Sequence, residues 1–213
     1  MSNKTYGTIG IAIPIIFGIV YFMVSSLHPN YSMFTKAISE LGAVGAPNKW
    51  IWNSFGYILP GILISIFALG LYKSVAIGKS YRLPFYGIFF SGIFMVMSGV
   101  FPGDFDNQQS STMLLHSIGS FGSYLFFLIG AFTFPKLMDK TNYWKSAKQP
   151  TLILTYLTIL FGGWVFVFPN MPALGQRFVF LFYFLWIGYT AFRLFKAPTE
   201  KPIITGISKN NDK

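Results

Sequence analysis

The stretch LPFYGIFFSGIFMVMSGVF, residues Leu83–Phe101, carries no charged side chain from end to end. A helix rises about 1.5 Å per residue, so about 20 residues cross a hydrocarbon core about 30 Å thick. Five further apolar runs flank this one: Gly7–Leu27, Trp50–Tyr72, Met113–Phe134, Leu152–Phe168 and Leu174–Phe195. The run at Leu152–Phe168 is the shortest and needs its neighbours Thr151 and Pro169 to reach across. The pattern predicts an all-α, polytopic six-helix membrane bundle over residues 1–196.

Composition points the same way. Charged residues are only 10% of the chain, against about 25% in soluble domains, too few to cover a soluble surface. The 25 phenylalanines suit lipid-facing surfaces and interfacial belts. With no cysteine, structural disulfides and thiolate metal sites are excluded.

The net charge of +10 is informative through its placement. With the N-terminus inside, thirteen Lys and Arg fall on inner segments and only Lys36, Lys49 and Arg177 on outer ones. That asymmetry predicts a multi-pass protein of the cell membrane with both termini cytoplasmic. The inner basic residues are expected against anionic lipid headgroups, and no soluble basic face for nucleic acid is evident. The first run is too long for the apolar core of a signal peptide and is read as an uncleaved helix. The polar segment 197–213, with Pro198, Pro202 and Gly206, is expected to be a disordered cytoplasmic tail.

The outer segments hold most of the candidate chemistry: His28, Ser39, Glu40, Asn53, Asp104, Asp106, His116, Gln176 and Arg177. Ionisable groups near an apolar slab are costly unless paired or hydrated, which makes them site candidates. Met33, Phe34, Ala37, Ile38 and Leu41 share one face at helical spacing. A short amphipathic helix is therefore expected near 32–41, started by Ser32 and ended by Gly42. It is either a lid carrying Ser39 and Glu40 or a plain interfacial connector.

Three outward-running helices end alike, at His28-Pro29-Asn30, Phe101-Pro102-Gly103-Asp104 and Phe168-Pro169-Asn170. Proline stops each helix and Gly or Asn supports the turn. This echo suggests three helical hairpins in parallel orientation. In the fourth run His116, Ser120 and Ser123 fall at i, i+4 and i+7, hence on one face. They line either a polar pocket or a helix–helix contact.

Several chemistries can be weighed against these residues. Zinc needs three or four ligands, and His28, His116 and Asp104 supply a set only if their loops converge, so no metal or other cofactor is expected. A serine nucleophile, Ser39 or Ser120, can pair with His116 as base, with Asp104 or Glu40 orienting the ring. There is no Gly-x-Ser-x-Gly elbow, no phosphate-binding glycine loop and no lysine within a span for a retinal Schiff base. Pro60-Gly61 and Gly162-Gly163 are candidate kinks of the sort a small transporter uses.

The segment Ile38-Ser39-Glu40-Leu41-Gly42 with Pro47, the turn Gly99-Val100-Phe101-Pro102-Gly103-Asp104, and His116 at the next helix start resemble the domain-of-unknown-function 998 family. Its members are bacterial and archaeal membrane proteins of similar length. More distantly, the pattern after the first span is similar to six-span DRAM-like proteins. The resemblance implies a six-span fold and places Ser39, Glu40, Asp104 and His116 on motif positions, but implies no reaction. The leading expectation is a protein that binds a lipid or amphipathic small molecule at an outer-facing polar cavity. Its ligand contacts would come from Glu40, Asn53, Ser120, Ser123, Gln176 and Arg177. The alternatives are a lipid hydrolase or transferase using His116, Asp104 and Ser39, and a small transporter.

Overall fold

The computed structural model describes residues 1–76 and 81–198. Most of the segment 197–213, and with it Lys201, Lys209 and Lys213, lies outside the described residues, as does Lys79. Within them the regular structure is helical: α1 (Asn3–Leu27), α2 (Lys49–Val75), α3 (Leu83–Val100), α4 (Ser111–Met138), α5 (Lys148–Gly162) and α6 (Pro172–Phe195). One-turn helices at Asn142–Lys145 and Trp164–Val167 flank α5. This is an all-α membrane bundle.

Among the described residues, five helices are long and apolar enough to cross a membrane, one fewer than the six expected runs. The shortfall is α5. Its 15 residues span about 22 Å. The helix ends where the sequence placed a kink, at Gly162-Gly163, and resumes for one turn at Trp164–Val167. Two consecutive glycines give up about 1 kcal/mol each of helix propensity relative to Ala, which makes this the weakest point of the run.

The helices form a ring in chain order, each packed on the next, with α6 closing onto α1. Small residues let the backbones approach. A methyl group on Gly87 of α3 would collide with the backbone of Gly130 on α4, and one on Gly61 of α2 with the carbonyl of Gly92 on α3. Inside α2 the turn Asn53–Ile58 widens to π-helical bonding. Pro60 explains it: it has no N–H for the Gly56 carbonyl, and its ring crowds that carbonyl.

Two ends of the ring are built differently. At the end holding residues 139–147, large side chains fill the interior, with Phe134, Leu137, Trp144, Trp186 and Leu194 all buried. Arg193 fastens that end, bonding the Tyr143 carbonyl and Ser146 Oγ and lying 4.6 Å from the Tyr143 ring centre. At the other end the segments 28–48, 101–110 and 163–171 gather, as the parallel hairpins require. Val44 N donates to Gly103 O at 2.9 Å, and Ile38 N donates to Gln176 Oε1 at 2.7 Å.

The amphipathic α-helix expected near 32–41 does not form. The segment makes turns and then a 3-10 helix at Ile38–Gly42. Side chains take the backbone groups that an α-helix would pair internally. Glu40 Oε1 accepts from Ala37 N, Gln176 Oε1 accepts from Ile38 N, and Arg177 donates to Lys36 O.

Candidate functional site

A cavity of about 440 Å³ lies at the gathered-loop end, between α3, α4, α6 and the Gly162–Val165 break. The 28–48 segment roofs it with Ala37 and Ser39, and the 101–110 segment contributes Phe105. Its body is apolar, with Met95, Met113, Phe121, Phe161, Val179 and Phe180. Among the described residues no Asp, Glu, Lys or Arg lines it.

His116 is buried and lines the cavity. Its Nδ1 sits 3.0 Å from two backbone carbonyls, Ser98 O and Phe101 O. Carbonyls only accept, so Nδ1 carries the proton, and in the neutral ring Nε2 is left as an acceptor. The Phe101-Pro102 turn exposes these carbonyls because the helix cannot continue through proline. Among the described residues no protein group pairs with Nε2. The Tyr57 ring, placed by the widened turn of α2, stands edge-on to the imidazole at 6.2 Å.

Gln176 and Ser39 make the rest of the polar rim. Since Ile38 N is a donor, Gln176 meets it with its oxygen, and the amide NH₂ remains for the cavity. The Ser39 hydroxyl has no partner among the described residues, although the residue is 6% exposed. Deeper down, Ser120 Oγ lies 3.2 Å from Ser98 Oγ. At the floor Ser91 Oγ donates to Ser123 O at 2.8 Å and stands 2.9 Å from Tyr183 OH. His116, Ser120 and Ser123 thus line one wall, the face their spacing implied.

Four expected residues lie off the cavity lining. Asp104 does not orient His116; its Oδ1 accepts from Asn107 N at 3.1 Å and holds the turn, while the two carbonyls set the ring. Glu40 is occupied by Ala37 N at 2.7 Å and by Lys36 at 3.7 Å. Asn53 is buried in the widened turn and gives its amide to Gly42 O at 3.0 Å. Arg177 clamps the roof: Nε donates to Tyr21 OH, one terminal nitrogen to Ala173 O, the other to Tyr31 OH and Lys36 O. Burial pushes the Tyr31 phenol well above its ordinary range, so it stays a neutral hydroxyl that accepts from the guanidinium. Among the described residues no three His, Asp or Glu side chains gather as a metal site.

The sequence reading overlooked Tyr57, Ser91, Ser98 and Tyr183. Ser91 and Ser98 are seven apart and share a face of α3, a signal equal to the one read on α4. Tyr57 carried no such signal, because its position depends on the widened turn.

The family model "Protein of unknown function (DUF998)" matches residues 11–193. The chain belongs to the DUF998 family. That match runs from within α1 to the last turn of α6, so the DUF998 region includes part or all of each of the six helices and every cavity-lining residue. No curated protein and no solved structure matches the chain significantly, and the remoter DRAM-like resemblance has no counterpart there.

Proposed function

We propose that this protein binds a lipid or amphipathic small molecule in the cavity beneath the 28–48 roof. One observation carries the reading: an apolar cavity of about 440 Å³ has a rim whose His116 Nε2 and Ser39 hydroxyl find no partner among the described residues. Pockets with apolar bodies and a few convergent polar groups are the usual make-up of small-molecule sites. Both atoms face the cavity, where a ligand can pair them, and a hydrogen bond made there is worth about 0.5–1.5 kcal/mol. In this reading His116, Ser39 and Gln176 meet the polar end of the ligand. Ser120 and Ser123 flank its path, while Arg177, Glu40, Asn53 and Asp104 hold the walls. The protein sits in the cell membrane with its termini cytoplasmic, a reading supported by the thirteen-to-three split of basic residues.

The test is lipid retention. Lipid extracted from purified protein should include a reproducible species. Replacement of His116 by Ala should lower its retention about tenfold, the worth of one hydrogen bond of about 1.4 kcal/mol. A second reading has its own support, since the Ser39 hydroxyl and His116 Nε2 line one cavity as a nucleophile and base would. Product formation from a lipid panel, lost in His116→Ala, would replace binding by hydrolysis or acyl transfer.

A further inference from the structure

The cavity is closed where a water-borne ligand would arrive and open where a membrane-borne one would. Its roof is pinned by Ile38 N to Gln176 at 2.7 Å, by Val44 N to Gly103 O at 2.9 Å, and by the Arg177 clamp. Ser39 in that roof is buried. Its side wall is different. Phe121 lines the cavity yet is 76% exposed, and Val165, just beyond the break in α5, lines it and is 44% exposed. Phe121 lies ten residues into α4, about 15 Å along the axis from its first residue, well within the apolar span. The wall parts here because α5 has already ended at Gly162.

The lining also selects by charge. Three ionised side chains at the roof are spent elsewhere: every nitrogen of Arg177 has a protein acceptor, Glu40 is held by Lys36 and Ala37 N, and Asp104 holds Asn107 N. A charged headgroup in an apolar span without a counter-charge is costly. The rim instead offers an acceptor at His116 Nε2, a donor at the Gln176 amide and the Ser39 hydroxyl. A hydroxyl meets both needs, donating to the imidazole and accepting from the amide. A volume of about 440 Å³ is in the lower part of the range for drug-sized ligands and suits one chain.

We infer that the ligand is an uncharged, hydroxyl-bearing, single-chain lipid that enters sideways from the bilayer between Phe121 and Val165. The inference rests on the binding reading above and names the class of its ligand.

The experiment uses the full chain in phosphatidylcholine nanodiscs doped equally with monoolein, oleate and methyl oleate, with the retained lipid read by mass spectrometry. Monoolein should exceed each of the other two at least tenfold, and Ser39→Ala and Gln176→Leu should each narrow that ratio. Equal or greater retention of oleate or methyl oleate overturns the chemical class while leaving binding intact. Retention of none of the three removes the binding reading and this inference with it. The route is read separately, because the chain has no native cysteine. A bulky maleimide on Val165→Cys should slow monoolein uptake at least tenfold, and protein loaded before labelling should keep its lipid longer. The same label on Asn107→Cys, on the loop surface, should leave uptake unchanged. Slowing by the Asn107 label instead would show passage through the roof and overturn the sideways route.

Discussion

Helix α4 stands between α3 and α5 in the ring and treats these two neighbours oppositely. Against α3 it packs backbone to backbone, with Gly87 and Gly130 face to face and Gly119 against Ser98. Against α5 it makes a sparse seam, bridged by Tyr124 OH donating to Thr158 O at 3.1 Å. Glycines occur on both seams, so glycine content does not separate them. The difference is what the missing side chain faces. At Gly130 it faces the backbone and side chain of Ile88, and at Gly162 it faces the end of the Tyr124 phenol, with Val179 at ordinary contact distance. A backbone cannot step aside and a phenol can, so one seam is sealed and the other is free to open onto a cavity.

Filling the sealed seam should do the most damage. Gly130→Leu forces α3 and α4 apart, and a loss of about 3 kcal/mol or more is expected, read as a steep fall in monodisperse yield and in Tm. A Gly130→Leu protein with unchanged Tm would mean the α3–α4 contact is not close. Next comes the polar floor that joins α3, α4 and α6. Ser91→Ala removes the donor to Ser123 O and one of the two serine partners of the Tyr183 hydroxyl, and about 1–2 kcal/mol should be lost by thermal unfolding in detergent.

The roof should respond more locally. Arg177→Lys keeps the charge but cannot make four directed bonds from a planar fork. Limited proteolysis should then cut within residues 28–48 several-fold faster, with Tm lowered by only a few degrees. Equal cleavage rates would show that the roof holds without its clamp. The smallest effect belongs to the open seam. Gly162→Ala should cost no more than about 1 kcal/mol, since its added methyl moves the Tyr124 phenol off Thr158 O while helix propensity favours Ala. A loss as large as that at Gly130 would erase the distinction between the seams.

Much of the bundle was legible because the membrane imposes a length and a polarity on each helix, and both are local properties of the chain. The α5 run misled on length, although its Gly162-Gly163 pair marked where it would break. The site was legible in part. His116, Ser120 and Ser123 were found because one helix carries all three in register. Asp104 and Glu40 look like partners for His116 in the sequence, but each sits three residues from a backbone N–H, Asn107 and Ala37, that it satisfies instead. Local carboxylate-to-backbone bonds of this sort win because they require no distant segment to be ordered.

By itself the sequence determined that this is an all-α membrane protein, where all its long helices but α5 start and stop to within a few residues, and which face of α4 is polar. Only the tertiary structure decided that the 28–48 segment folds as a pinned roof rather than a surface helix. The reason is that its backbone partners, Gln176 and Arg177, lie about 140 residues away. Tertiary structure also decided that two carbonyls, not a carboxylate, orient His116, because those acceptors exist only where α3 stops at Pro102 and α4 returns beside it.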